Sequence, residues 1–248
     1  MRTPTKGPHF LVDPGDIDRE GATAILRADQ AHHLAVVLRA RPGDPVSLAD
    51  GTGALWQARV RRSDEGRVTL ALVTRQVVAP PRPRLTVVHA LPRRRKLDEV
   101  IQRLSELGVD RVVPVHSERS QVRLPGEKAA GAVARWRSVA LAAAKQSRRV
   151  RPLQVAEVGR WSDLTAPAGC GVVLWEQATT GLRAVLDGLN GAAGDELVLA
   201  VGPEGGLTPA EVKACGLPAA SLGPTVLRTE TAALVAASAV LYHVGRLG

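Results

Sequence analysis

Val198–Gly206 reads VLAVGPEGG, and Ser221–Ala233, SLGPTVLRTETAA, follows the same plan. Each is a short apolar strand that runs into a glycine-containing loop with a helix soon after. In an open α/β sheet such loops lie at the carboxyl ends of the strands, where ligands bind. Gly202, Gly205 and Gly206 have no side chain, so backbone N–H groups there can approach a small polar ligand and positive φ is allowed. A tight strand-to-helix turn alone also places glycines this way. The second loop adds something a plain turn does not need. LRTET sets a cation, a carboxylate and two hydroxyls at the start of the apolar run AALVAASAVL, and polar groups on the first turn of a buried helix require partners.

Working outward, the pattern of strand, helix, strand extends back to Leu85. LTVVHA (85–90) is an apolar strand, Leu97, Val100, Ile101 and Leu104 recur at helical spacing until Gly108, and RVVPV (111–115) is the next strand. Strands joined by a crossover helix pair in parallel. Glu127–Arg149 predicts a long Ala-rich helix with Val133, Trp136, Val139, Ala140 and Ala143 on its apolar stripe and the basic end KQSRRVR, which either meets phosphates or complements the helix dipole. GVVLWE (171–176), ELVLAV (196–201) and AASL (219–222) supply further strands, and LRAVLDGL a helix. Thr208-Pro-Ala-Glu211 is a capping box with proline at N1, so a helix follows VGPEGGL directly.

Before this lies a different texture. HFLV, TAILR, PVSLAD, ALWQARV and RVTLALVT are short apolar pieces separated by turn residues, a small β-rich domain. One helix interrupts it, with Asp29 as N-cap, and Pro42-Gly43-Asp44 ends it. His32 and His33 point about 100° apart on that helix, which suits surface roles better than a shared metal. Asp50-Gly-Thr-Gly53 leads into an alternating, strand-like run rather than a helix, so it reads as a hairpin turn and not as a dinucleotide loop. VVAPPRPR (77–84) can continue neither a helix nor a central strand. It divides the chain into domains at 1–78 and 84–248.

With 248 residues the chain can bury one large core or two modest ones. Thirty-three Lys and Arg against 24 Asp and Glu give a net charge of +9, with no charge run resembling a disordered tail, so the positive field belongs to folded surface and suits a polyanion. Aromatics are 2%, which argues against a stacking platform for single strands and leaves arginine as the main nucleic-acid contact. Cys170 and Cys215 form neither a disulfide framework nor a zinc signature, and the expected setting is a reducing cytoplasm. MRTPTKGPHFLVD has no continuous apolar segment, and no stretch approaches the roughly 18 apolar residues of a membrane span. P-loop, HExxH, GxSxG and EF-hand patterns do not occur, which removes support for phosphate transfer, zinc proteolysis and serine hydrolysis.

The residues resemble a known family, the RsmE-type 16S ribosomal RNA uridine methyltransferases of the SPOUT class. The resemblance rests on His33 with VLR (37–39), DEVIQRLSELGV, PVHSERS, AAKQSRR, LWE, VGPEGGLTPAEV and LGPTVLRTETAA, in the family's order over nearly the whole chain. It implies a PUA-like β-barrel for RNA binding, followed by an α/β domain with a parallel sheet flanked by helices and a C-terminal trefoil knot. Knots break the ordinary connection rules and come only from the resemblance. It further implies S-adenosylmethionine held by three loops, at Leu174 and Glu176, at Val201, Gly202, Pro203, Glu204, Gly205 and Gly206, and at Leu222, Gly223, Leu227, Arg228, Thr231 and Ala232. RNA contacts fall on Arg39, Arg119, Gln146, Ser147 and Arg149. A homodimer whose partner chain completes each site, 16S ribosomal RNA of the small subunit as partner, N3 of a uridine as methyl acceptor, and no metal or membrane complete the implication. The chain departs from the family at four positions: His9 for an arginine, Lys145 and Arg148 for the glutamate and glycine of EQSGR, and Thr225 for an arginine.

Methylating N3 needs the imide proton removed and the growing negative charge stabilised. Glu230 is the candidate proton acceptor and Arg228 the candidate stabiliser, unless the two form an ion pair that only shapes the loop. The alternatives are a non-catalytic RNA-binding or ribosome-assembly factor on the same fold, and a methyltransferase of this class acting on a transfer-RNA ribose.

Overall fold

The computed structural model of the chain describes residues 7–64, 66–93, 96–164, 170–189 and 194–248. The first six residues of the N-terminal stretch lie outside them. Two compact units emerge, one running to Pro80 and including Ala144–Pro152, the other comprising Pro81–Ala143 and Leu153–Gly248. The segment 144–152 therefore groups with the first unit, although a division at 78 and 84 assigns it to the second.

The first unit is a six-stranded sheet of β1 (His9–Leu11), β2 (Ile17–Asp18), β3 (Thr23–Arg27), β4 (Pro45–Ala49), β5 (Ala54–Asp64) and β6 (Arg67–Val77), ordered β1-β4-β5-β6-β3-β2. It curls around one core that includes Phe10, Leu26, Leu34, Leu48, Trp56 and Leu70. Edge strands β1 and β2 do not pair, so the barrel stays open between them among the described residues. DGTG is the β4–β5 hairpin turn: the Asp50 carboxylate accepts from the Thr52 N–H and hydroxyl at 2.9 Å each and from the Ala54 N–H at 3.1 Å. Gly53, at φ +118°, lies so close under the Arg151 guanidinium that a Cβ would collide with it.

The helix of this unit departs from its expected form. Helix α1 (Ala28–His32) begins one residue before Asp29, which sits inside the first turn rather than capping it, and continues as a π turn over His33–Val37. It stops at Arg39, φ +52°, ahead of Pro42-Gly43-Asp44.

The second unit is an all-parallel sheet. Its strands are β7 (Arg84–Ala90), β8 (Arg111–His116), β9 (Gln154–Val155), β10 (Gly159–Arg160), β11 (Gly171–Leu174), β12 (Glu196–Val201) and β13 (Ala219–Ala220), ordered β10-β8-β7-β12-β11-β13 with β9 also beside β8. Helices α2 (Lys96–Leu107), α3 (Gly126–Gln146), α4 (Leu182–Gly188), α5 (Pro209–Ala214) and α6 (Thr229–His243) connect or follow the strands. The strands read as continuous apolar runs because both faces are covered. Leu197, Leu199 and Val201 enter the core shared with α2, α3, α4 and α6, while Val198 and Ala200 enter a second core with Trp161, Leu207 and Cys215. Helix α3 ends three residues before the expected Arg149, because Arg148 turns left-handed at φ +56°. No described helix is long and apolar enough to cross a membrane.

At the amino end of this sheet, away from the strand ends that carry the loops, Arg246 ties the C-terminal segment down. Its guanidinium donates to the Pro83 carbonyl at 2.9 Å, the Gly108 carbonyl at 2.7 Å and the Asp110 carboxylate at 2.7 Å, with side-chain exposures of 12% and 17% for the ion pair. Removing one partner leaves the other charge largely desolvated. Arg246→Ala should therefore lower unfolding free energy by about 2–4 kcal/mol. Urea denaturation checks this, and a loss under about 0.5 kcal/mol, typical of an exposed pair, would refute it.

Candidate functional site

Strands β11, β12 and β13 end side by side, and their following loops enclose a cavity of about 460 Å³. This is the carboxyl edge of a parallel sheet, the expected ligand position. Its walls come from Leu174–Glu176, Val201–Leu207 and Ala220–Thr229, with Ala232. Of the residues expected from the resemblance to hold cofactor, Leu174, Glu176, Val201, Gly202, Pro203, Glu204, Gly205, Gly206, Leu222, Gly223, Leu227, Arg228 and Ala232 line it, and Thr231 does not. Arg228, Thr229 and Ala232 lie on the cavity face of the α6 start, whereas exposed Thr231 is rotated off it.

The loop after β12 is a tight turn: the Gly206 N–H donates to the Pro203 carbonyl at 2.9 Å, and Gly206 takes φ +72°. Its glycines serve close approach by other parts of the protein. A Cβ at 206 would stand 2.7 Å from a Glu176 carboxylate oxygen, and one at 205 would press on the Arg119 Cβ and carbonyl at 3.2 and 3.3 Å. Arg119 returns a hydrogen bond to the Gly205 carbonyl at 3.2 Å. The SERS segment therefore braces this loop. Thr208 and Glu211 form the capping box of α5, and Glu211 also accepts from the Glu118 N–H at 2.7 Å.

Two residues that sequence reasoning missed, Thr229 and Lys96, tie the loops together, and a third, His89, is buried on β7. Buried Thr229 donates its hydroxyl to the Gly202 carbonyl at 2.6 Å. Lys96, on the first turn of α2, puts its ammonium 3.0 Å from the Glu230 carboxylate and 3.4 Å from that of Glu204, which also accepts from the Arg93 N–H at 3.0 Å. His89, fully buried on β7 in register with Val201, donates through its Nδ1–H to the Ala90 carbonyl at 2.7 Å. Burial lowers its pKa, against the raising effects of the Ala90 backbone, Glu204 and Glu230, and it is neutral at neutral pH. A single lysine whose carboxylate partners lie more than 100 residues away carries no local signal.

These contacts bear on the ion-pair reading of LRTET. Glu230 pairs with Lys96, and no Arg228–Glu230 ion pair forms. Burial raises the Glu230 pKa, but its own backbone N–H, Lys96 and the Arg228 charge together outweigh this and hold it below the usual carboxylate range. Arg228 is the exposed N-cap of α6, and its guanidinium has no hydrogen bond or ion pair among the described residues. The cavity wall thus includes a cation unpaired among the described residues, Arg228, beside a glycine-rich backbone, while the ionised Glu230 on the same helix start is not one of its lining residues. Trp175 adds a buried indole N–H without a partner.

The residues expected to touch RNA are divided between the two units. Arg119 is committed to the glycine loop. Arg39, exposed in its left-handed turn, and exposed Gln146 belong to the first unit with Ser147 and Arg149. The Arg149 guanidinium is half-buried and donates to the Arg151 carbonyl at 3.0 Å. No group of three or more His, Cys, Asp or Glu capable of holding a metal occurs among the described residues.

Residues 80–241 match the RNA methyltransferase domain family, and residues 26–73 the RNA methyltransferase PUA domain family. The ribosomal RNA small subunit methyltransferase E of Mycobacterium tuberculosis is 37% identical over 93% of this chain and 90% of its own length. That of Bacillus subtilis is 29% identical over 90% and 91%. Among solved structures, the ribosomal RNA small subunit methyltransferase E of Neisseria gonorrhoeae bound to S-adenosyl methionine superposes with a TM-score of 0.80 at 28% identity, covering 95% of this chain and 97% of that one. The site geometry and these matches agree: the chain belongs to the ribosomal RNA small subunit methyltransferase E family.

Proposed function

We propose that this protein transfers a methyl group from S-adenosylmethionine to N3 of a uridine in 16S ribosomal RNA. The observation that carries the reading is the cavity at the β11–β13 strand ends, where Arg228 is unpaired among the described residues and Glu230 is ionised on the same helix start. The cavity residues suit this cofactor: backbone groups of two glycine-containing loops and the unpartnered Trp175 N–H suit its polar groups, and the carboxylates of Glu176 and Glu204 suit its positive charge. Bound there, S-adenosylmethionine supplies an electrophilic methyl group on a sulfonium.

The chain's own residues must ionise and orient the uracil. Glu230 would accept the N3 proton directly or through one water, which frees the N3 electron pair to take the methyl group as the methyl–sulfur bond breaks and its electrons return to the sulfur, and Arg228 would stabilise negative charge on the flanking carbonyl oxygens. Lys96 holds the Glu230 carboxylate in place. The same reading includes a trefoil-knotted path through the loop after β13, a cytoplasmic setting, and a homodimer. A second copy is consistent with the apolar surface left beside the site: Val226 is 87% exposed in the cavity loop, and Tyr242 71% exposed on α6.

Cofactor binding depends on the loop shape. A β-branched residue is strained at the φ of Gly206, so Gly206→Val should weaken S-adenosylmethionine binding by about tenfold or more while leaving a cooperative unfolding transition. Wild-type affinity by calorimetry would remove this loop from the binding site.

The chemical step separates from binding in single-turnover rates at saturating cofactor. Glu230→Gln should slow methyl transfer about 100-fold or more. Raising the pH should partly rescue it, because uridine N3 ionises unaided in mild alkali. Arg228→Ala should be slow at every pH, since its role is charge stabilisation. A Glu230→Gln variant with wild-type rate and pH dependence would make the carboxylate a structural residue. Mapping the methylated nucleoside as 3-methyluridine tests the reaction itself, and a 2′-O-methyl product would overturn it.

A further inference from the structure

The first unit holds a second cavity, of about 760 Å³, that the proposed methyl transfer does not use. Lys145, Arg148, His9, His33, Phe10 and Asp44 stand in its wall. Arg148 is the left-handed residue that closes α3. Its N–H reaches back to the Lys145 carbonyl at 3.4 Å, and the next N–H to that of Ala144 at 2.9 Å. Glycine is favoured at this place because it has no Cβ to strain, and the resemblance also sets a glycine there.

The fold draws no compensating contact from the arginine side chain. Its guanidinium is exposed and makes no hydrogen bond or ion pair among the described residues, and neither does the ammonium of Lys145. Asp44, the one acid of the wall, pairs with neither cation and instead accepts from the Arg41 N–H at 2.7 Å. His9 bonds through Nδ1 to the Ser47 hydroxyl at 3.0 Å. Burial, then the Arg148 charge, lower its pKa against the effect of the Arg149 backbone, so among the described residues of this wall the permanent positive charges are those of Lys145 and Arg148. Cations near a helix end complement its dipole, yet Lys145 with a glycine at 148 would serve that purpose without backbone strain. The cavity is also larger than a lone anion needs, with room for a sugar–phosphate segment.

We propose that Arg148 and Lys145 bind a backbone phosphate of the RNA substrate in this cavity of the first unit. The inference rests on the RNA-substrate reading above and assigns the contact to Arg148, whose guanidinium is free, rather than to Arg149, whose guanidinium is engaged by the Arg151 carbonyl.

The test is filter binding of transcribed 16S ribosomal RNA over a salt series. Each phosphate contact contributes roughly one unit to the slope of log affinity against log salt. Arg148→Gly should lose about one unit of slope and bind several-fold more weakly at moderate salt, with thermal unfolding no lower than wild type because glycine suits the left-handed turn. Lys145→Ala should show a similar loss of slope, and Arg148→Lys should retain the wild-type slope. Wild-type slope and affinity in both Arg148→Gly and Lys145→Ala would overturn the inference and leave the RNA reading standing. A wild-type protein with no salt-dependent binding to the RNA would overturn both.

Discussion

The hydroxyl of Thr229 reaching the Gly202 carbonyl at 2.6 Å is the contact on which the site depends. Thr229 is buried, so breaking the bond would cost the Gly202 carbonyl at the end of β12 and the hydroxyl at the start of α6 their shared partner. It also fixes the two loops against each other. With Gly202 held, the chain turns through Pro203 to Gly206 and enters α5 at its capping box. With Thr229 held, Arg228 caps α6 facing the cavity and Glu230 falls within reach of Lys96. The ammonium of Lys96 then bridges Glu230 and Glu204, a second link between the same loops. The cavity therefore has its shape before any ligand enters, which reduces the ordering cost of binding.

Much of this was legible locally. The strands β7, β8, β11 and β12 announce themselves as apolar runs because both sheet faces are covered, and Thr208-Pro-Ala-Glu211 specifies the α5 start through its own four residues. The loops followed from strand, glycine and cap together. What was not legible depends on contacts between distant segments. Lys96 meets Glu230 across 134 residues of sequence, and nothing in RRRKLDEV marks which cation turns inward. Thr231 lies outside the cavity wall because consecutive helical residues differ by about 100°, and Thr229, two residues earlier, is held to the Gly202 carbonyl. The end of α3 was overrun because Lys145, Gln146 and Arg148 are good helix formers, and only the observed left-handed turn ends the helix there.

Around the cavity at the β11–β13 ends, Glu176, Glu204 and Glu230 offset Lys96 and Arg228, so the proposed site for a positively charged cofactor is not itself strongly basic. In the first unit, Arg39, Lys145 and Arg148 are exposed without acid partners among the described residues. A net charge of +9 thus need not disturb the cofactor site while still drawing a polyanion to the protein.

The lowered pKa of Glu230 bears directly on how it can serve as a base. A carboxylate held ionised by Lys96 and Arg228 is always ready to accept a proton at neutral pH, yet it binds that proton weakly, which reduces the driving force for transfer from N3. The two effects oppose each other, and the free guanidinium of Arg228 resolves them in the proposed reaction. By stabilising negative charge on the uracil, it lowers the acidity gap between N3 and the carboxylate at the moment of transfer. The proton also need not remain on Glu230: the same charges that make it a weak base make the protonated form a strong acid, which returns the proton to water once the methyl group has moved. Lys96 then works in both halves of the cycle, holding the carboxylate aimed before transfer and favouring its re-ionisation afterwards.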